Sequence, residues 1–410
     1  MTSQPKLSPR RPQPLRAKAV QALSVRLSKW RALGAGLSLA GMLSACATPT
    51  ATRDLVTGAD QALAQPEGFT GVRYASDDLV AAEAFRRDLV TGLKAGDDRH
   101  LHVLVLSGGG AHGAFGAGAL TGWSSTGKRP QFDVVTGIST GALIATFAFL
   151  GADYDPILAE AYTNGKARAL MTAPNLWPSL FPGQTRHHPL KTLIAPYITE
   201  ALLDRMAEEH KKGRRLLIGT TNLDSQQSII WDMGAIARQT SGDRRALFID
   251  VLAASASVPG VFAPVMIAAR HGDLRFREMH VDGGATAAFF LLPESLLQAP
   301  LPAGVQHRTT VWVLINGQAG PSYARTPLHP MGVATRTLET AIKAANRTTL
   351  TLMTSVAERN RIGLRYAAIP GDARVGDMLD FSPAGMSATF DLGQSLARDG
   401  LLWSEQVRDR

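Results

Sequence analysis

An α/β fold with a central, mostly parallel sheet is predicted by three features of the sequence. Leu101 to Leu106 is an apolar run ended by glycines, the pattern of a strand buried on both faces. A second run, Phe132 to Thr136, lies one helix length further on. Between them a glycine-rich turn opens a helix, so strand, turn, helix and strand form a βαβ unit whose two strands run parallel.

The other elements follow from periodicity. Arg215 to Thr220, Ser228 to Trp231, Met279 to Val281 and Thr309 to Asn316 have the length and apolar character of strands. Helices are expected at 78–93, 141–150, 189–198, 246–255 and over the long periodic stretch 333–360. No internal repeat interrupts the core. The expected organisation is a leader over 1–45, a spacer with one helix over 46–99, a catalytic domain over 100–320, and a C-terminal helical extension over 321–410 packed on the same core.

The chain has 410 residues, 45% of them hydrophobic, and a formal charge of +9. Lys6, Arg10, Arg11, Arg16, Lys18, Arg26, Lys29 and Arg31 carry nearly all of that excess, and residues 1–45 contain no acid. The remainder is close to neutral and gives no basis for a nucleic-acid partner. The basic leader is followed by a small, apolar stretch from Ala32 to Met42 and then Leu43-Ser44-Ala45-Cys46, the order of a secretory signal peptide. The stretch is shorter than the roughly 20 apolar residues that span a bilayer. Leu-Ser-Ala-Cys resembles the bacterial lipobox, which implies acylation of Cys46 and an exported, membrane-anchored lipoprotein on the outer membrane or periplasmic face. Cys46 is the only cysteine, so no disulfide forms within the chain.

Three motifs carry chemistry. Gly137-Ile138-Ser139-Thr140-Gly141 joins a predicted strand to an apolar helix, the setting of a nucleophile elbow in which Gly137 and Gly141 permit a sharp turn and expose Ser139. Ser107-Gly108-Gly109-Gly110-Ala111-His112-Gly113 follows the first strand, and its backbone N–H groups suit an oxyanion hole at Gly108, Gly109 and Gly110. The same stretch fits the dinucleotide pattern Gly-x-Gly-x-x-Gly, but Asp133 stands at the start of the second strand rather than beyond its end. Asp282-Gly283-Gly284 ends a short strand on an exposed turn, a weak signal alone because Asp-Gly is a common turn dipeptide.

Together, in this order, the motifs resemble the patatin-like phospholipases. Thr221-Asn222-Leu223-Asp224 and Ala254 to Pro264 also look like segments of that family, with fainter echoes at Phe381-Ser382-Pro383 and Phe390 to Gly393. The resemblance implies a three-layer α/β fold and a Ser-Asp dyad hydrolase, with Ser139 the nucleophile and Asp282 its base. It implies a lipid or phospholipid substrate, no cofactor and no metal, and it points to no protein partner. Two departures stand out: His112 occupies a place often held by Lys or Arg, and the Asn and Pro often found after Asp-Gly-Gly are replaced by Ala285 to Leu292, with Pro293 later.

A hidden triad is the main mechanistic alternative. His280 lies two residues before Asp282 and would share its face on a regular strand, while His307 and His329 follow the acid in chain order. His187-His188 reads as a solvated loop before a helix. Phe289-Phe290-Leu291-Leu292 fits either a lipid-contacting patch or the core. The alternative function is a lipid-binding or scaffolding lipoprotein with little turnover.

Overall fold

The computed structural model describes residues 56–92, 100–172, 188–291, 308–326 and 328–404. The leader and Cys46 lie outside the described residues, as do His187, Leu292, Pro293 and His307. Among the described residues ten strands form one sheet: β1 Gln65–Pro66, β2 Arg73–Ala75, β3 Leu101–Leu106, β4 Val134–Ile138, β5 Arg215–Asn222, β6 Gln227–Asp232, β7 Val265–His271, β8 Leu274–Asp282, β9 Thr309–Gln318 and β10 Gly363–Ile369. The helices are α1 Gly58–Leu63, α2 Leu79–Gly92, α3 Gly113–Ser125, α4 Thr140–Leu150, α5 Asp155–Thr163, α6 Pro189–Ile194, α7 Glu200–Lys211, α8 Met233–Arg238, α9 Arg244–Ser255, α10 Pro330–Asn360 and α11 Pro383–Arg398. None of the helices is long and apolar enough to cross a membrane among the described residues.

The centre of the sheet is parallel, in the order β5-β4-β3-β9-β10, and its flank β8-β7-β1 is antiparallel. Residues alternate between the two faces of the central strands. Leu104, Leu106 and Leu314 join a large apolar layer built with α3, α4, α9 and α11, whereas Val105, Val311, Val313 and Ile315 pack against Leu350, Met353 and Ala357 of α10. The result is three layers: helices, sheet and one long helix.

One edge of β5 decides where the motifs meet. β6 hydrogen-bonds along 217–222 on one side, so β4 and β8 must share the other. Parallel β4 runs along it until Ile138 lies opposite Gly219, and antiparallel β8 arrives from the far end until Asp282 lies opposite Thr220. The C-terminal ends of β4 and β8 therefore meet head to head.

Three glycines draw α11 onto α3. A Cβ at Gly118 would lie 1.9 Å from the Phe390 carbonyl oxygen, one at Gly122 2.4 Å from that of Gln394, and one at Gly393 2.2 Å from that of Phe115. Only bare backbone permits α3 and α11 to pack so closely, and α3 begins directly at the glycine-rich loop.

Several sequence expectations need correction. The strand expected at 132–136 runs from Val134 to Ile138, because Gly137 continues it instead of ending it. The spacer contributes β1 and β2 to the sheet, and Phe69, Val72 and Ala82 are buried. The C-terminal region expected to be helical also supplies β10, which pairs with β9. β7 and most of β8 escaped notice because their solvent-facing charges, Arg270, Arg275 and Arg277, mask an alternating pattern in which Ile267, Ala269 and Phe276 are buried. Phe289 and Leu291 are core residues beside Val105 and Val313, and Phe290 packs with Val134 and Leu217.

The former spacer is also tied to β8 by charge. Arg73 on β2 forms a short, buried ion pair with Glu278 on β8, also donates to the Ala64 carbonyl at 3.1 Å, and lies over the Trp231 ring. Burial alone would raise the Glu278 pKa, but hydrogen bonds from His280 and Arg73 and the Arg73 charge hold it down to about 2. Glu278 then stabilises the fold above its unfolded pKa near 4.5, and that stability is lost as the pH falls towards 2. Arg73→Ala strands a buried carboxylate, and is expected to cost about 3–5 kcal/mol in urea unfolding at pH 7. The loss should shrink between pH 5 and pH 3; a loss below about 1 kcal/mol at pH 7 would contradict this role.

Candidate active site

Ser139 stands at the junction of β4 and α4 with φ 58° and ψ −131°, a backbone conformation that side chains avoid. Such a residue costs on the order of 1–3 kcal/mol and persists only where its surroundings hold it. Ser255 at the end of α9 supplies that hold. Its Oγ accepts from the Ser139 N–H at 3.0 Å and donates to the Gly219 carbonyl at 2.7 Å. The flanking glycines are steric requirements: a Cβ at Gly137 would lie 2.5 Å from the Gly141 oxygen, and one at Gly141 2.5 Å from that of Ser107.

Asp282 closes β8 with 4% of its surface exposed. Its N–H donates to the Ser257 carbonyl at 3.0 Å, and its Oδ1 accepts from the Gly284 N–H at 2.7 Å. Gly283 fits because its missing Cβ would stand 2.5 Å from the Gly219 oxygen. Burial pushes the Asp282 carboxyl up to about 7, opposed by the Ser139 hydroxyl and the Gly284 N–H. The hydroxyl thus lies near enough to favour the charged form, although Oδ2 makes no hydrogen bond of ordinary geometry among the described residues.

The glycine-rich loop lies against the same serine. A Cβ on Gly108 would be 3.1 Å from Ser139 Cβ and 3.7 Å from its Oγ. Gly109 has φ 157° and Gly110 φ 58°; Cβ atoms there would meet the Asn316 and Met378 carbonyl oxygens at 1.8 and 2.2 Å. The N–H groups of Gly108, Gly109 and Gly110 have no backbone acceptor among the described residues, whereas Ser107, Ala111 and His112 on either side are bonded. Asn316 anchors the loop from β9, donating to Ser107 O at 2.7 Å through Nδ2 and to Ser107 Oγ at 2.8 Å through its N–H.

Four histidines find other employment. His112 Nε2 pairs with the Gly376 carbonyl at 2.8 Å, bracing the 370–382 loop. His280 is wholly buried, with Nδ1 3.0 Å from Thr220 Oγ1 and Nε2 3.2 Å from Glu278 Oε2, so both ring nitrogens are engaged away from Ser139. His329 caps α10, its Nδ1 accepting from the Gly332 N–H. His188 corrects the expectation of a solvated loop, since its Nε2 pairs with the Ala263 carbonyl at 2.9 Å and lies 3.4 Å from Ser257 Oγ. Burial lowers the His188 pKa.

A cavity of about 100 Å3 is lined by Ser139 and Gly110 together with Leu143, Phe147, Leu193, Ile194, Leu252, Val258 and Phe262. Among the described residues no charged side chain lines it. Among the described residues no cluster of His, Cys, Asp or Glu could hold a metal ion.

Ser255 and Asn316 are the site residues that motif reasoning passed over. Ser255 lay in the Ala254–Pro264 segment already singled out, without a role. Asn316 offered one signal, an amide ending an otherwise apolar strand.

Chemically, the arrangement unites a serine held at a strained elbow and buried rather than exposed as the motif suggested, a carboxylate made basic by burial, unused backbone donors and an apolar cavity. The family model described as patatin-like phospholipase matches residues 104–293. No curated protein matches the chain. Among solved structures, VipD from Legionella pneumophila is 14% identical at a TM-score of 0.33, covering 74% of this chain and 67% of that one. Human GIVD cytosolic phospholipase A2 is 10% identical at a TM-score of 0.37, covering 84% and 62%. The type III effector ExoU is 12% identical at 0.31, covering 74% and 53%. This chain thus spans less than two thirds of the human enzyme and of ExoU, and likenesses this distant carry no weight for its chemistry. Residues 104–293 thus carry a patatin-like phospholipase domain, the feature that supports lipid hydrolase activity.

Proposed function

We propose that the protein is a serine acyl hydrolase that cleaves carboxylic esters of membrane lipids through an acyl-enzyme on Ser139, with Asp282 as base. One observation carries this reading: the buried Asp282 carboxyl, with its pKa near 7, faces the strained serine, which lines a cavity with no charged side chain among the described residues. A base poised near ambient pH combines a useful ionised fraction with real proton affinity. A scaffold that merely bound lipid would gain nothing from keeping a buried carboxylate there.

In the first step Ser139 Oγ bonds to the ester carbonyl carbon, its proton passes to Asp282, and the carbonyl electron pair moves onto oxygen. The free N–H groups of Gly108 to Gly110 stabilise that oxyanion; losing one such donor typically costs about 3–4 kcal/mol. The tetrahedral centre collapses, the bond to the alcohol breaks, and the alcohol leaves with the proton held by Asp282. Water then attacks the acyl-enzyme, Asp282 again takes and returns a proton, and the fatty acid departs. Every proton in this cycle is supplied by serine, Asp282 or water, and no cofactor enters.

Acylation of Cys46 would tether the enzyme to its substrate, each buried methylene adding about 0.8 kcal/mol of membrane affinity. Labelling with a radioactive fatty acid is expected to modify the full-length protein in a bacterial host and to vanish in Cys46→Ser, with loss of membrane partitioning. Persistent labelling would remove the anchor.

On a soluble nitrophenyl ester, Ser139→Ala and Asp282→Asn are both expected to lose about a thousandfold or more in kcat. In the wild type, kcat/KM should rise about tenfold per pH unit below pH 7 and level off above it, because only ionised Asp282 can act. A flat profile between pH 5 and 8 would exclude this base.

The same group gives a stability test of opposite sense. Raised from 3.8 to about 7, the Asp282 carboxyl imposes a penalty on folding that is absent below pH 4 and complete above pH 7. Asp282→Asn is therefore expected to melt higher than the wild type at pH 8 and alike at pH 4. A lower melting point at pH 8 would mean that the carboxylate is stabilised where it sits.

A further inference from the structure

The apolar cavity runs beside α4. It follows one face of α4, touching Thr140, Leu143 and Phe147 in turn. Eight residues separate Ser139 from Phe147, so at about 1.5 Å of rise per residue the cavity reaches roughly 12 Å from the serine. There Tyr197 packs edge-on against Phe147, with ring centroids 6.4 Å apart and an interplanar angle of 82°. Both rings line the cavity.

Tyr197 is also held from outside. Its hydroxyl donates to Glu160 Oε2 at 2.7 Å and accepts from Asn164 Nδ2 at 2.8 Å, while Lys166 Nζ lies 6.0 Å from the ring. Glu160 and Lys166 are exposed. The Tyr197 ring thus joins the cavity lining on one side to exposed, charged side chains on the other. Burial and the Glu160 hydrogen bond push the Tyr197 hydroxyl up to about 12, so it stays neutral and bonded at any working pH.

We propose that Tyr197, backed by Phe147, is the end wall that limits the length of the acyl group Ser139 can accept. The inference rests on Ser139 as nucleophile. An extended chain with carbon–carbon bonds of about 1.5 Å advances about 1.3 Å per methylene, so roughly nine carbons fill the distance to the wall. The enzyme thus favours short and medium acyl groups. A longer chain must displace the Tyr197 ring from its hydrogen bonds to Glu160 and Asn164.

Nitrophenyl butyrate, octanoate, laurate and palmitate, kept below their aggregation thresholds, test this in the full chain. For the wild type, kcat/KM is expected to fall at least tenfold from octanoate to laurate, a loss within the range that a few misplaced methylenes cause. Tyr197→Ala should bring the two substrates to within about threefold, and Tyr197→Phe, which keeps the ring, should retain most of the wild-type ratio. The ratio within each variant is the readout, so a uniform loss of activity does not imitate the effect. Free fatty acids give a reading without turnover: octanoic acid should raise the melting temperature of the wild type and lauric acid should not, whereas Tyr197→Ala should respond to both. A wild type that hydrolyses laurate as well as octanoate, or a Tyr197→Ala variant with an unchanged ratio, overturns the end wall. Undiminished hydrolysis by Ser139→Ala would overturn the nucleophile instead, and it would show at every chain length.

Discussion

Each position along the edge of a strand can hydrogen-bond to one neighbour, and the edge of β5 from Arg215 to Asn222 has two claimants. β4 and β8 divide it by stopping where they meet, between Gly219 and Thr220. Because one is parallel to β5 and the other antiparallel, both stop with their C-terminal ends at the seam. Ser139 and Asp282 are the residues delivered there. Gly219 serves the junction twice: its carbonyl oxygen accepts from Ser255, and the same oxygen fills the space that a Cβ on Gly283 would need.

What gathers at the seam is locally unfavourable. A serine at positive φ and a carboxyl buried to 4% exposure both oppose folding. The surrounding fold outweighs them through the close α3–α11 contact at Gly118, Gly122 and Gly393, the Asn316 anchor on the glycine-rich loop and the Arg73–Glu278 pair behind β8. A site placed where strain and desolvation coincide is consistent with chemistry that needs a reactive oxygen and a carboxylate of raised basicity.

Much of this was legible in the sequence because it depends on local steric rules. Leu101 to Leu106 reads as a buried strand, and Gly137 and Gly141 read as a turn, since short-range patterning carries both. Less legible was everything that depends on distant pairing. The antiparallel flank was hidden by Arg275 and Arg277 on the solvent side of β8, and the part played by residues 65–75 appears only when β1 and β2 reach β7 and β6. His280 shows the limit of strand periodicity: two residues from Asp282, it turns its ring nitrogens to Thr220 and Glu278. Ser255 was equally invisible as a support for Ser139, because a hydroxyl at a helix end has many common uses.

The central claim is that Asp282 draws the proton from Ser139 as the oxygen attacks. Covalent labelling of the protein by an alkyl fluorophosphonate reads that step alone, without product release or interfacial effects. The account predicts a single adduct on the peptide carrying Ser139, a labelling rate that rises with pH to a plateau about an apparent pKa near 7, and near-complete loss of labelling in Asp282→Asn. An adduct on another residue, or labelling of Asp282→Asn at the wild-type rate, would contradict it.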